Sequence, residues 1–393
     1  MTSPPSATRV AIVGAGLIAL AYGVARFAFG LFVPSIRADL GLRPDLMGLI
    51  GSIPFISFAA TSVVASTLAR RLGARRGAML ASGFGALGLA LISRADGAPL
   101  LAGGVFACGI CTGLMMPALS EGIHKAVQPR LHGRVNAVMN AGTSVGVLLS
   151  VPSVLLLANA WRGAYVSFAA LAVLGVVAAA IFIPATHNGQ ASARLQLPAI
   201  SADQRRRLIR LNCFALGMGL VSAAYWVFAP DLVVVLGGLR PDLTGWLWAA
   251  VGLAGLGGAA AGDLGERFGA GRVQSVALAM LSLATLLVLA VPDSLGSTVL
   301  SAALFGLAYM TLTGLYLVTA ILLLPDHPSL GGVLPFLAIA VGQALGSTLT
   351  GTVVEHLSYG AAFGGMALLG IILAACYPLF PATSPRPHLG PGA

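Results

Sequence analysis

The chain has 393 residues, of which 58% are hydrophobic and only 9% are charged, and its formal net charge is +10. Its mean hydropathy is +0.93. Because a soluble domain carries about 25% charged residues, this composition excludes a water-facing globular protein and predicts a membrane protein.

Twelve apolar runs approach or exceed the roughly 20 residues that a helix needs to cross a bilayer. Apolar side chains cover all faces of each run, without the period-2 alternation of an outer-membrane barrel strand. The runs lie near 10–36, 46–69, 77–94, 99–121, 135–158, 163–183, 209–235, 244–262, 273–291, 296–323, 331–354 and 360–380. We therefore expect an all-α integral membrane protein with twelve transmembrane helices.

Basic residues are unequally distributed between the two predicted sides of the membrane. With the N terminus inside, 16 of the 22 Lys and Arg residues fall in inside segments and 5 in outside segments, while Arg26 lies within a span. Cytoplasmic segments are enriched in these residues, so we predict a multi-pass protein of the cytoplasmic (inner) membrane with both termini cytoplasmic. The charge is explained by this bias and by anionic lipid head groups, and we expect no nucleic-acid partner.

One short phrase occurs twice, as GLRPDLMG at 41–48 and GLRPDLTG at 238–245. Glycine suits a chain reversal, proline suits the first helical position, and aspartate suits the first turn, so both copies predict the start of a helix. A polar stretch separates two sets of six runs. We predict an N-terminal six-helix bundle at 1–184, a cytoplasmic linker at 185–208 and a C-terminal six-helix bundle at 209–393, related by an axis along the membrane normal.

A second repeat follows the second and eighth runs, as STLARRLGARR at 66–76 and GDLGERFGAGR at 262–272. The pattern resembles the loop between helices 2 and 3 of the major facilitator superfamily, although the first copy has Arg70 where the family has an acid. The resemblance implies that fold, secondary transport by alternating access, and loops that gate one state. The gating candidates are Arg70, Arg71, Gly73, Arg75, Arg76, Gly262, Glu266, Arg267, Gly269 and Arg272. Membrane topology alone is the alternative reason for the basic ones.

Other segments refine the resemblance. The pair Arg26-Phe27 before a Val-Pro step is similar to the first helix of a poorly characterised bacterial branch of the family (YbfB/YjiJ-like). The Gly-Pro pair common late in span 5 of the family's proton antiporters is missing between Gly142 and Pro152. An arginine often found in span 4 has no counterpart near Val105. Both departures disfavour a standard drug/proton antiporter.

Arg26 is the main candidate for binding substrate. A charge within a span costs at least about 2.5–3.5 kcal/mol on insertion scales, so it should face a cavity or a partner. Tyr22 lies one turn earlier on the same helix face. Guanidinium binds carboxylate, phosphate or sulfonate through two parallel hydrogen bonds, which predicts an anion clamp. A structural arginine that orders neighbouring helices is the alternative.

The resemblance implies that helices 1, 4, 7 and 10 line the cavity. Span 10 carries three hydroxyls at i, i+4 and i+7, a spacing that places them on one helical face. The candidate substrate-binding residues are Tyr22, Arg26, Asn140, Tyr225, Tyr309, Thr313, Tyr316 and Gln343. Interhelical hydrogen bonding is the alternative role for Asn140 and Gln343. We interpret Trp246 and Trp248 as membrane-interface anchors.

Membrane acids are scarce. Asp231 is the leading candidate for a proton-coupling residue if it is buried, since burial raises the pKa of a carboxyl. A solvated carboxylate in the outer head-group zone is the alternative. Protons are therefore one option for the coupling ion.

Metal and enzymatic chemistry are poorly supported. Cys108 and Cys111 form a C-x-x-C, but cysteines in apolar, glycine-rich helices usually pack as small residues. No phosphate-binding G-x-x-x-x-G-K-[ST] motif occurs. We expect no cofactor, no metal and no enzymatic activity. The partners we expect are a small-molecule substrate and the bilayer, with a monomeric chain.

The preferred function is secondary transport of a small organic solute, by preference an organic anion. The alternatives are efflux of hydrophobic or cationic compounds, and a carrier-like protein that does not transport.

Overall fold

The computed structural model describes residues 7–128, 131–157, 160–185, 200–325 and 328–381. Every regular element in these ranges is helical. The all-α class predicted from the apolar runs is therefore confirmed for the described chain. This is expected, because a span can satisfy its backbone polar groups within lipid only by hydrogen bonding to itself as a helix or within a closed barrel.

Eleven helical stretches are described. In the first chain half these are α1 (Ala7–Leu40), α2 (Pro44–Ser93), α3 (Ala98–Ala126), α4 (His132–Leu157) and α5 (Trp161–Phe182). In the second half they are α6 (Ala202–Val235), α7 (Pro241–Phe268), α8 (Ala270–Ala290), α9 (Leu295–Leu323), α10 (Pro328–His356) and α11 (Tyr359–Ala375). Among the described residues, α1–α10 are the ten stretches long and apolar enough to cross a membrane, whereas α11 has 17 residues.

Backbone geometry repeats with the sequence. Among the described residues only four have positive φ, and all four are glycines. Gly41 and Gly238 (φ 62° and 66°) end α1 and precede α7, and Gly73 and Gly269 (φ 77° and 87°) mark the second repeated loop. Left-handed backbone favours glycine because it has no Cβ. The 50-residue α2 is broken at Gly73, so its two halves correspond to the separate apolar runs at 46–69 and 77–94.

The repeated phrase has the helix-start role that its residues predict. Pro44 is the first residue of α2, and Asp45 accepts a hydrogen bond from the N–H of Leu46 at 2.7 Å. Pro241 likewise begins α7 as a short 3₁₀ turn. We call the end of the molecule with these two loops, 41–46 and 238–243, the GLRPDL end. The opposite end, with Gly73 and Gly269, is called the basic end.

The linker assignment differs at its C-terminal boundary. Residues 202–208, which the sequence placed in the linker, form the first turns of α6. Ser201 accepts a hydrogen bond from the N–H of Gln204, and the Gln204 side chain accepts one from the N–H of Ser201, a reciprocal cap that fixes a helix start. Residues 186–199 lie outside the described residues.

The two chain halves pack against each other mainly along three helix pairs, α1 with α6, α2 with α10, and α4 with α7. Glycines allow the backbones to approach closely, as small residues do between membrane helices. A Cβ on Gly30 would overlap the carbonyl oxygen of Trp226, and one on Gly48 would lie 2.9 Å from the Cα of Gly351. These contacts lie in the GLRPDL-end portions of the helices.

Candidate functional site

The centre of the molecule is built around Arg26. This side chain is buried, with 6% of its surface exposed. It lies near the end of a π-helical segment of α1, Ala19–Phe27. Such segments are rare and occur often at functional sites, because they displace the hydrogen-bond ladder. The Phe27 carbonyl, at the end of this segment, accepts a hydrogen bond from the indole N–H of Trp248 at 3.2 Å.

Arg26 connects the two chain halves through a chain of side-chain hydrogen bonds. Its Nη2 donates to Oε1 of Gln343 on α10 at 2.8 Å, and Nε2 of Gln343 donates to the hydroxyl of Tyr309 on α9 at 3.1 Å. The Nε of Arg26 has no hydrogen-bond partner among the residues that the structure describes. No carboxylate in the described part of the chain forms an ion pair with Arg26. The site is thus a buried cation with spare donor capacity.

Aromatic rings surround the guanidinium. Its carbon lies 4.6 Å from the ring centroid of Phe58, 4.9 Å from that of Phe55 and 5.9 Å from that of Tyr22. A cation over a ring face is stabilised by about 0.5–2 kcal/mol, the larger value applying where water is excluded. These contacts offset part of the cost of burying the charge. Phe55 and Phe58 belong to α2 and were not predicted, because only tertiary packing brings α2 beside α1.

A second aromatic layer comes from the other chain half. Trp226 stacks on Phe27 with centroids 4.0 Å apart and packs edge-on against Tyr309 at 5.2 Å. Trp248 meets Trp226 edge-on at 5.8 Å and is fully buried. The interpretation of Trp248 as a membrane-interface anchor is therefore wrong. Trp246, by contrast, is 49% exposed on the membrane-facing surface, as expected of an anchor.

The predicted binding residues divide into two groups. Tyr22, Arg26, Tyr309 and Gln343 meet at the centre. The other four do not join this cluster. Tyr225 is fully buried against Ser301 and Phe305 within its own half.

Thr313 and Tyr316 have other partners in the structure. The Thr313 hydroxyl donates to the Met310 carbonyl of its own helix at 3.0 Å. Tyr316 is fully buried and packs on Phe380, with centroids 5.9 Å apart. Tyr309 and Tyr316 share a helix face but are separated by two turns, about 10 Å along the axis. Asn140 is partly exposed on α4.

A second polar cluster joins the chain halves at the GLRPDL end. Asp231 on α6 forms an ion pair with Arg37 on α1 and accepts a hydrogen bond from the hydroxyl of Tyr359 on α11. Arg37 also donates to the Tyr359 hydroxyl at 3.2 Å. Asp231 is only 1% exposed, so the alternative of a solvated carboxylate is wrong. We call Arg37, Asp231 and Tyr359 the latch. The sequence reading assigned no role to Arg37 or Tyr359.

Weaker contacts also join the two chain halves at the GLRPDL end. Arg43 pairs with Glu355 of α10 at 3.2 Å, and the Ser347 hydroxyl donates to the Gly48 carbonyl at 2.8 Å. A hydrogen bond to Asp45 raises the pKa of Arg43, which keeps the guanidinium charged. Since Arg43 is well exposed, its ion pairs contribute little to stability.

The predicted gating residues lie at the basic end. Glu266, Arg267 and Arg272 are exposed, and none forms an ion pair with the described part of the chain. Gly262 and Gly269 flank them, and Gly269 makes the turn.

The first copy of this loop, at 66–76, forms hydrogen bonds with residues of its own chain half. Nε of Arg75 donates to the Ile183 carbonyl at the end of α5, at 2.8 Å. Arg70 donates to the Thr67 hydroxyl at 3.3 Å, while Arg71 and Arg76 are exposed and Gly73 makes the turn.

Comparison with known proteins identifies the family of this chain. Residues 15–329, about four fifths of the chain, match the family model MFS_1, the Major Facilitator Superfamily. The chain belongs to this superfamily. It is a multi-pass membrane protein of a transporter family, and its curated relative and structural neighbours are transporters.

A curated relative is the "Uncharacterized transporter YycB" of Bacillus subtilis (strain 168), 25% identical over 251 residues. The match covers 61% of this chain and 60% of that protein, less than two thirds of its length.

Solved structures of the same fold include a POT family transporter in complex with 5-aminolevulinic acid. It has a TM-score of 0.77 and 14% identity, and the match covers 94% of this chain and 95% of that one. A bacterial homologue of the lysosomal transporter Spinster, in an inward-facing and occupied conformation, has a TM-score of 0.74 and 14% identity, covering 96% and 97%. At these identities the likeness concerns the fold.

Proposed function

We propose that this superfamily transporter moves a small organic anion across the cytoplasmic membrane by alternating access. One observation carries the proposal. Arg26 is a buried cation at the junction of the chain halves, with no carboxylate partner in the described residues and with a free Nε. A charged side chain inside a membrane protein is normally paired with an opposite charge or marks a substrate or ion pathway. A bound anion would supply the opposite charge that Arg26 lacks among the described residues.

The surroundings of Arg26 favour an anion with one charged group and an apolar body. An incoming carboxylate would replace the Gln343 oxygen as acceptor for Arg26, and the freed Gln343 amide and the Tyr309 hydroxyl could then donate to it. The rings of Phe55 and Phe58 would contact the apolar part. Because Arg26 and Gln343 belong to different halves, such an anion would hold both halves together.

We propose the full architecture as twelve spans in two six-helix bundles, 1–184 and 209–393, joined by the linker 185–208. The number twelve is supported by the eleven described helices α1–α11. It is reached when α2 is counted as two spans divided at Gly73 and α11 is counted as a short span. The proposal of alternating access is supported by the latch and by Glu266, Arg267 and Arg272, which form no ion pair with the described part of the chain. Together they favour a state closed at the GLRPDL end. We expect Glu266, Arg267 and Arg272 to engage in the opposite state. The chain is proposed to act as a monomer in the inner membrane with both termini cytoplasmic.

Asp231 remains our candidate for proton coupling. Protonation would remove the negative charge that pairs with Arg37 and would loosen the latch, which links proton binding to opening of the GLRPDL end. The test is Asp231→Asn in proteoliposomes. We expect exchange to persist while gradient-driven accumulation stops, and normal accumulation would remove Asp231 from the coupling step.

The test of the anion proposal is a thermal-shift screen of purified protein. The panel spans monocarboxylates, dicarboxylates, sugar phosphates, amino acids, sugars and cationic drugs. A ligand at 100 times its Kd stabilises by about 2.7 kcal/mol. We expect anions to shift the melting of wild type, Arg26→Lys to weaken the shift, and Arg26→Ala to abolish it. Arg94→Ala, at an exposed arginine, is the matched control and should behave as wild type.

Efflux of hydrophobic or cationic compounds is the second candidate, favoured by the aromatic layer of Phe27, Trp226 and Tyr309. Melting shifts from cationic or apolar compounds alone, equal in wild type and Arg26→Ala, would support efflux and contradict the anion proposal. A carrier-like protein without transport would give no substrate-dependent flux in proteoliposomes.

A further inference from the structure

A groove on the outer surface of the helices lies beside the broken helix α2, and neither Arg26 nor a latch residue lines it. Its volume is about 600 Å³. Its walls are apolar side chains of α2, on both sides of the break at Gly73, and of α5. They are Leu72, Met79, Leu80, Phe84, Leu87 and Val176. The floor includes Gly83, where an added Cβ would meet no atom within 4 Å. The groove is therefore open space that a larger side chain could fill.

One charged residue lines this groove, and it lies at one end. Arg76 is exposed and belongs to the first turn after Gly73, at the basic end. The break at Gly73 starts a new helical segment there, so the positive end of that segment lies near the Arg76 side chain. Both features favour a phosphate at this mouth of the groove.

The length of the groove matches one leaflet. Arg76 and Leu87 are 11 residues apart on a helix, about 16 Å along its axis. The hydrocarbon core of a bilayer is about 30 Å thick, so one leaflet contributes about 15 Å. A phosphate at Arg76 would thus place an acyl chain along the groove to the middle of the membrane.

We propose that this groove is a binding site for an anionic phospholipid, of the phosphatidylglycerol type, from the leaflet at the basic end. We assign a lipid rather than a soluble phosphate because Arg76 and the apolar side chains line one and the same groove. A lipid has both a phosphate for the cation and an acyl chain for the apolar walls. The lipid is anionic because a basic side chain at the head-group level attracts negative lipids. The site is independent of substrate binding at Arg26, so the failure of either proposal leaves the other standing.

The test is native mass spectrometry of the full chain, purified in detergent with equimolar phosphatidylglycerol and phosphatidylethanolamine. We expect wild type to retain phosphatidylglycerol at least fivefold over phosphatidylethanolamine. Arg76→Gln should remove this preference. Gly83→Phe, which fills the groove, should lower retention of both lipids at least fivefold.

Two control variants are matched to these changes. Arg71→Gln removes an exposed arginine that does not line the groove, and Gly103→Phe enlarges an exposed glycine with equally open space on α3. Both should retain phosphatidylglycerol within twofold of wild type. Glycerol phosphate, the head group without chains, should not displace the lipid.

Three results would overturn the proposal. The first is equal retention of the two lipids by wild type. The second is unchanged selectivity in Arg76→Gln. The third is displacement by glycerol phosphate, which would mean that the apolar walls play no part.

Discussion

The GLRPDL end and the basic end both carry a sequence repeat, yet only the GLRPDL end is joined across the chain halves by the polar contacts described above. There Arg37, Asp231 and Tyr359 connect three helices. At the basic end Glu266 is exposed, and Arg75 is bound within its own half. A repeat therefore specifies matching loops and turns, whereas the contacts that close one end come from residues outside the repeated phrases.

The charged residues of the latch have no equivalents at the corresponding positions of the other chain half. At the repeat offset of 197, Asp231 corresponds to Pro34, and Arg37 corresponds to Val234. Neither partner is repeated in the other half. Arg26 likewise corresponds to Ala223. The repeated sequence positions the helices in both halves. The charged residues that occur in one half only make the two ends of the molecule, and the two halves, different from each other.

The largest expected effect comes from breaking the latch. Asp231→Ala leaves the half-buried charge of Arg37 without its buried partner. Loss of one member of a fully buried pair costs about 3–5 kcal/mol, which is an upper bound for this pair. Spin labels at Leu42 and Leu357, in a background where the four cysteines are alanine, should report a longer and broader distance across the GLRPDL end. Adding Arg37→Ala should recover part of the loss. An unchanged distance in Asp231→Ala would contradict the latch.

The next effect comes from separating the helix backbones. Gly30→Leu would place a side chain against the Trp226 carbonyl oxygen, and overpacking of this kind costs about 1–3 kcal/mol. We expect the closed GLRPDL end to be disfavoured and flux in proteoliposomes to fall. Gly16→Leu is the control, because a Cβ at Gly16 meets no atom within 4 Å. Equal flux in the two variants would mean that the close approach is not required.

A smaller effect is expected at the rim of the same end. Arg43→Gln removes the pairs with Glu355 and Asp45, which contribute little to stability because Arg43 is exposed. The melting temperature should fall slightly at low salt, and the difference from wild type should disappear at high salt because ions screen exposed pairs. A large, salt-independent loss would show that Arg43 has a buried role.

The smallest effect is expected at the basic end. Glu266→Gln changes an exposed side chain without an ion pair in the described chain, so the stability of this state should change by less than about 0.5 kcal/mol. The same spin-label distance should be unchanged. A shift comparable to that of Asp231→Ala would place Glu266 in the closed state and remove the contrast between the two ends.

The sequence by itself determined the features that depend on local chemistry. Apolar runs determined helices, because a chain in lipid must satisfy its own backbone groups. The paired glycines determined the turns at Gly41, Gly73, Gly238 and Gly269, because left-handed backbone favours glycine. The cost of a charge in a span singled out Arg26 before any partner was known.

Only the tertiary structure decided which side chains meet. Gln343 is 317 positions from Arg26, and Asp231 is 194 positions from Arg37. No periodicity relates such distant positions. Trp248 shows the limit most clearly, because an aromatic residue near a helix end has the same sequence pattern whether it anchors a membrane surface or, as here, packs against Trp226 at the centre. Helix formation is local, but the choice of partner depends on how the helices pack.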